Sequence, residues 1–200
     1  AAAIADPIMG EGGVRTVHPD VLRRLAQYDF PLIIDEIQCG LGRSGSFLAS
    51  EGVVADYYLF GKALGGNIEK ISALLVDKKR FQNDIGKYYV STFANGGLAA
   101  HAALTTLSVI KRDRIPERAR VQGGKLLERL AAIQREYPSV IAEITGRGLM
   151  LGIRFVDFAA SDHVLFRALA VSKVLGYVFS AYLLKRWRLR VLPTLSAPNG

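Results

Sequence analysis

The stretch Pro31-Leu-Ile-Ile-Asp-Glu-Ile-Gln-Cys39 decides how this chain is read. Its first four residues are an apolar run of the length and composition of a buried strand, and the run stops at an acid, Asp35. An ionised carboxylate at the end of a buried strand is costly unless a cation or strong donors meet it. Further on, Tyr57-Tyr-Leu-Phe-Gly-Lys62 repeats the arrangement with a base in place of the acid. A lysine drawn into such a place is pushed towards its neutral amine. In an open α/β sheet, ligands bind beyond the carboxyl ends of the strands, and Asp35 and Lys62 each stand at such an end. The chain between them is ample for a crossover between parallel strands.

Working outward, the first half alternates strand and helix. Residues 2–7 and 71–76 read as further short strands. His18-Pro-Asp20 reads as a helix start, with Val21, Leu22, Leu25 and Tyr28 on one face. Three glycines in 40–45 mark a loop. A helix is expected over 98–111, with Ala100, Leu104, Leu107 and Ile110 inward. A second is expected over 117–136, with Leu126, Leu130 and Ile133 inward. After these come strands over 140–144 and 149–156 around the turn Gly146-Arg-Gly148, a helix over 162–174 and a strand over 189–192. The recurrence of strand and helix predicts an α/β fold with a mostly parallel sheet, followed by a smaller α+β portion. The expected division is 1–111 in a large domain and 112–200 in a small one.

Composition excludes several classes. The chain has 200 residues, half of them hydrophobic and 22% charged, which is a globular rather than a disordered composition. No apolar run approaches the ~20 residues of a membrane-spanning helix. Residues 1–5 lack the basic leader and the long apolar core of a secretory signal. Cys39 is the one cysteine, so no internal disulfide forms, and a reducing, cytoplasmic setting is expected. The net charge is +8, with basic runs at 78–80 and 185–190. Neither run is interleaved with stacking aromatics in a recognisable RNA-binding pattern, so solvated faces are expected rather than a nucleic-acid interface. His18, His101 and His163 have no metal-ligand spacing, and His101 and Trp187 read as packing residues. Both ends look cut, since an apolar run opens the chain and a loop closes it. The expectation is a piece of a longer protein.

Taken alone, Asp35 and Lys62 could form a simple salt bridge, or Asp35 could cap a turn. Their neighbours point elsewhere. Gly61-Lys-Ala-Leu-Gly-Gly66 surrounds the lysine with small residues and leaves room for a planar ligand. Ser91-Thr-Phe93 offers hydroxyls ahead of a helix start, where backbone amides receive phosphate.

With Asp6-Pro-Ile-Met-Gly-Glu-Gly-Gly13, Leu32-Ile-Ile-Asp-Glu-Ile-Gln38, Gly40-Leu-Gly-Arg-Ser-Gly45, Gly61-Lys-Ala-Leu-Gly-Gly66, Ser91-Thr-Phe93 and Gly146-Arg-Gly-Leu-Met150, in that order, the sequence resembles the class III aminotransferases. These are a branch of the fold type I enzymes that depend on pyridoxal 5'-phosphate (PLP). The resemblance implies that Lys62 forms the Schiff base with PLP and that Asp35 pairs with the pyridine nitrogen. It places Ile37 against one ring face and Gln38 near the ring hydroxyl. Thr92 matches the threonine that reaches the phosphate of the neighbouring subunit, so a homodimer is implied. Glu11 matches a glutamate of the substrate pocket. PLP draws electrons from the reacting carbon into its ring, and a carboxylate at the ring nitrogen keeps that sink strong. A dry, cationic neighbourhood is expected to lower the pKa of the lysine.

The implied activity moves an amino group from an amine or ω-amino acid to a keto acid or aldehyde. Small amine and carbonyl compounds are then the partners, without nucleic acid or membrane. The same scaffold also serves aminomutases, racemases, decarboxylases and lyases, and a non-catalytic domain could keep the fold. The family's phosphate loop, ring-stacking aromatic and the arginine that pairs with Glu11 fall outside this stretch. The chain by itself is therefore expected to hold PLP weakly. Asp6 stands where glutamate is usual, a shortening expected to affect packing more than catalysis, and Cys39 replaces a usual hydroxyl residue.

Overall fold

The computed structural model of the chain describes residues 1–81 and 96–194. The reading of Ser91-Thr-Phe93, with Thr92, lies outside the described residues. Eight strands and five α-helices are described. They are β1 (Ala3–Ala5), β2 (Ile8–Met9), β3 (Arg15–Thr16), α1 (Pro19–Leu25), β4 (Leu32–Asp35), β5 (Tyr57–Phe60), β6 (Ala73–Val76), α2 (Gly97–Arg112), α3 (Ile115–Glu136), β7 (Ile141–Arg147), β8 (Met150–Phe155), α4 (Val164–Val171) and α5 (Leu175–Trp187). They group into two compact units. The first comprises Ala1–Ile8, Thr16–Gly123 and Arg147–Met150, and the second Met9–Arg15, Gly124–Gly146 and the chain from Leu151 onward.

The first unit is built on a four-stranded sheet in the order β1-β4-β5-β6. β4 runs parallel to β1 and β5, while β6 returns antiparallel to β5. Leu32 and Ile34 alternate into one core with Leu22, Val53 and Ala55. Each is almost wholly buried, which contributes about 1.5–3 kcal/mol per side chain relative to exposure. On another side Leu41, Phe60, Leu64, Ala103 and Ile110 form a second cluster. Asp56 ties the starts of two strands together. Its Oδ2 accepts the Leu32 amide at 2.8 Å and its Oδ1 accepts Arg80 Nε at 2.7 Å.

α1 begins as its sequence predicts. His18 is the N-cap and its Nδ1 accepts the Asp20 amide, while Pro19 occupies the first turn, where no amide partner is lost. The predicted face is narrower than expected, because Leu22 is buried while Val21 and Tyr28 are exposed. α2 keeps Leu107 and Ile110 of the predicted face inward, while Ala103 packs there in place of the exposed Ala100 and Leu104. Ala103, Leu107 and Ile110 pack on Leu41, Phe60 and Leu64. The positions 103, 107 and 110 are the helical period that meets the sheet. In α3 the buried residues are the small Ala119 and Gly123, whereas Leu126 and Ile133 are exposed. Gly123 is small because the β7–β8 turn presses on it. A Cβ there would stand 2.0 Å from the Gly148 carbonyl oxygen.

In the second unit β7 and β8 pair as a hairpin. An Arg154–Glu143 bridge at 2.9 Å crosses it, and Phe155 meets Phe179 edge to face. The helix predicted over 162–174 is shorter. It ends at Val171, Lys173 takes a left-handed φ of 57°, and α5 follows. The strand predicted over 189–192 does not form. Arg188 turns the chain at φ 55°, and the Leu189 amide closes back on the Leu183 carbonyl, so that backbone serves as a helix end. His101 and Trp187 are exposed, against the packing roles predicted for them. Trp187 lies under the Arg186 guanidinium. Among the described residues no single helix is long and apolar enough to cross a membrane.

Candidate active site

Three parallel strands of the first unit deliver three ionisable groups to one edge. Ala5 pairs with Ile34 and Asp35 pairs with Leu59. The chain therefore leaves β1 at Asp6, β4 at Asp35 and β5 at Gly61-Lys62 on the same side of the sheet. Asp6, Ile8, Asp35, Ile37, Gln38, Cys39 and Lys62 line one cavity of about 90 Å³ there. Of the residues predicted for the site, Asp35, Ile37, Gln38 and Lys62 are thus brought together. Glu11 belongs to the second unit, in the turn after β2, and Thr92 lies outside the described residues.

Asp35 is half-buried, and its Oδ1 accepts the Ile37 amide at 2.9 Å. This local turn fixes the carboxylate and leaves its other oxygen towards the cavity side of the strand end. Next to it Glu36 is fully buried and points the other way. Its oxygens accept the Ala49 amide at 2.9 Å, the Ser50 amide at 2.8 Å and the Ser50 hydroxyl at 2.6 Å. With the Cys39 thiol, which donates to Oε2 at 3.5 Å, four donors to one carboxylate meet the cost of burying the charge. Those from Ala49 and Ser50 also pin the loop 40–50 to the turn that carries Asp35 and Ile37. Gly40 is required at this crossing, since a Cβ would stand 2.8 Å from the Glu36 carbonyl oxygen.

Lys62 opens a 3-10 turn, Lys62–Gly65, in the left-handed region at φ 44°. A non-glycine residue there costs about 1–3 kcal/mol and persists only where the surroundings hold it, which is common at functional positions. Gly61 lies against Ile37, where a Cβ would stand in ordinary contact at 3.4 Å.

The electrostatics differ from the sequence-based expectation in two respects. Lys62 is exposed, so the described residues do not supply the dry surroundings predicted for it. Its charged neighbours in the cavity are carboxylates, where a cationic neighbourhood was predicted. No Asp35–Lys62 ion pair forms among the described residues, so the simple salt-bridge alternative is not what the strand ends build. The Asp6 carboxyl is raised above the ordinary value, first by crowding against the protein and then by Asp35, while Lys62 works in the opposite direction. Cys39 is buried, as predicted. Burial and the adjacent Glu36 charge push its thiol up to about 12, so it stays protonated and is not a nucleophile at neutral pH. The sequence reading passed over Asp6 as a site residue. The signal that could have found it is its position as the first acid after a strand parallel to the one ending in Asp35.

A more open hollow of about 640 Å³ lies elsewhere in the same unit, lined by Arg23, Asp56, Asp77, Lys79 and Arg80 among others. It is larger, but Arg80 is already held by Asp56, and no residue predicted for the site borders it. The strand-end cavity is the candidate because it joins an amine, a fixed carboxylate, an aliphatic side chain and an amide. A planar, aldehyde-bearing pyridine fits that set: the amine can bond to the aldehyde, the carboxylate can hold the ring nitrogen and Ile37 can cover a face.

Comparison with known proteins bears on the family of the chain. The family model described as "Aminotransferase class-III" matches residues 1–187. An ornithine aminotransferase from Toxoplasma gondii, crystallised with oxidised glutathione and showing partial PLP occupancy at its active site, is 34% identical with a TM-score of 0.72; the match covers 80% of this chain and 39% of that one. The Plasmodium yoelii ornithine aminotransferase is 30% identical with a TM-score of 0.70, over 86% of this chain and 47% of that one. A transaminase solved with L-alanine is 27% identical with a TM-score of 0.77, over 97% of this chain and 48% of that one. The chain thus spans less than half the length of each of these structures.

Proposed function

The chain belongs to the class III aminotransferase family, with the α/β fold of fold type I enzymes, and from that premise we propose that it carries the cofactor anchor of a PLP-dependent transaminase. The observation that carries the reading is the meeting of Lys62 and Asp35 at one cavity beyond the ends of parallel strands. On this reading Lys62 bonds the cofactor and, when released, is the amine that moves protons beside it. Asp35 holds the ring nitrogen, Ile37 covers a ring face, Gln38 serves the ring hydroxyl, and Thr92 serves a phosphate across a homodimer. Glu11 lines the substrate pocket. PLP, when bound, supplies the electron sink that makes amino-group transfer feasible.

The substrates of this reading are an amine or ω-amino acid donor and a keto acid or aldehyde acceptor, and the setting is cytoplasmic. The ornithine aminotransferases among the matched structures favour the ω-amino donor. The assignment of 1–111 to a large domain and 112–200 to a small one belongs to the same proposal.

The test is reductive trapping. The chain is mixed with excess PLP, reduced with borohydride and mapped by peptide mass spectrometry. The label is expected on Lys62 well above the other lysines, and Lys62→Ala removes it. Equal labelling of all exposed lysines contradicts the assignment. An amino-transfer assay from an ω-amino acid to a keto acid, set against decarboxylation and racemisation assays, separates transamination from the other reactions of the scaffold.

A further inference from the structure

We propose that Asp6 is a working member of the site, a second carboxyl that shares one charge balance with Asp35 and Lys62. The proposal rests on the reading of Lys62 and Asp35 as cofactor anchor and ring partner, and it deepens that reading.

The geometry begins with register. Ala5 stands opposite Ile34 on parallel neighbouring strands, so Asp6 and Asp35 are the next pair along, with strand axes about 4.8 Å apart. Pro7 follows Asp6 and is buried, and a residue before proline is held extended, so the chain leaving β1 at position 6 stays extended instead of curling away. Both carboxyls border the cavity that Lys62 also borders.

The other lining residues leave the balance to these three. Ile8, Ile37 and Gln38 carry no charge, and the Cys39 thiol stays protonated. Glu36 turns away and is held by Ala49 and Ser50. Two carboxyls facing one amine leave one negative charge uncompensated at neutral pH. Such a pair relieves itself by keeping a proton on one member or by taking in a cation. The Asp6 carboxyl, raised first by burial and then by Asp35 and lowered by Lys62, is the member that answers to the other two. A ligand with a positively charged ring nitrogen against Asp35 removes the repulsion felt at Asp6. The site is therefore matched to that class of ligand by two acids, and the side chain at position 6 has a role beyond packing.

The test is a titration of the full chain without cofactor, labelled with carboxyl-13C aspartate and followed by NMR. The Asp6 signal is assigned by its loss in Asp6→Asn. Its midpoint is expected above the ordinary aspartate value, to move down in Asp35→Asn and to move up in Lys62→Met. Lys62→Gln serves as a second variant, and retained amide dispersion shows that each variant is folded. An Asp6 midpoint indifferent to both neighbours overturns the proposal. Trapping of PLP on Lys62 together with such an indifferent titration overturns this inference alone. A coupled titration with no selective labelling of Lys62 supports the charge balance and overturns the cofactor reading.

Discussion

Asp56 shows at the level of single residues how a carboxylate can hold a sheet from outside its core. One oxygen takes the Leu32 amide at the start of β4 and the other takes Arg80. Its carboxyl is held below the ordinary value, first by the Leu32 amide and then, against the cost of burial, by Arg80. The backbone bond matters more than the ion pair, because removing the carboxylate orphans an amide at the strand start, whereas a half-exposed ion pair is screened by water. Asp56→Ala is expected to lower stability by about 1–3 kcal/mol in urea unfolding, and Arg80→Ala by less. A group with a depressed folded-state pKa contributes its stability above the unfolded value, near 3.8, and loses it as pH falls through the folded value. The gap between wild type and Asp56→Ala should therefore narrow as pH is lowered below about 4. A gap unchanged at acid pH would show that the charge is not what Leu32 and Arg80 bind. None of this was legible in the sequence, because Asp56 lies in a loop and its two partners are 24 residues away on either side.

Elements reveal why some of the chain could be read and some could not. β4 and β5 are legible because each is a short apolar run ended by a charged or glycine-bounded residue, and both form as read. α5 was not read, because Leu175–Trp187 mixes glycine, aromatic and β-branched residues around the whole helix and presents no one-sided period. The inward face of α3, and that of α2 apart from Leu107 and Ile110, differ from the predicted ones for another reason. Periodicity finds apolar rows, but the structure selects the row that meets a neighbour, and in α3 that row is the small pair Ala119 and Gly123. A glycine of α3 and one of the β7–β8 turn give opposite predictions on this account. At Gly124 a Cβ meets nothing within 4 Å, so Gly124→Ala is expected to stabilise the chain by about 0.5–1 kcal/mol through helix propensity. Gly148, which presses on Gly123, has φ 58° and a Cβ site 2.4 Å from the Ser44 carbonyl carbon. Gly148→Ala is expected to cost about 2–4 kcal/mol, since backbone must move on one side and a left-handed residue must be kept on the other. Urea midpoints of opposite sign for the two variants check both statements, and a neutral Gly148→Ala would contradict the close approach.

At the scale of the whole molecule, the site has its anchoring groups but little enclosure. The cavity that joins Asp6, Asp35, Ile37, Gln38 and Lys62 is about 90 Å³, where a pocket for a small ligand commonly measures about 300–1,000 Å³. Lys62 is exposed, and the carboxylates around it are not matched by a cation other than its own. Affinity for a phosphorylated cofactor draws on donors to the phosphate as well as on the ring, yet the groups gathered here are suited to the ring and the aldehyde rather than to the phosphate. The chain of 200 residues is therefore expected to bind PLP weakly, even though it presents the amine proposed to bond it. Equilibrium dialysis should show binding far from saturation at equimolar PLP, while borohydride trapping with excess PLP still marks Lys62. The Asp35→Asn chain should lose selectivity for Lys62, because the carboxylate that orients the ring is gone. Tight one-to-one binding by this chain would mean that the strand-end groups suffice by themselves, and the view that they form the anchoring part of a larger site would have to be given up.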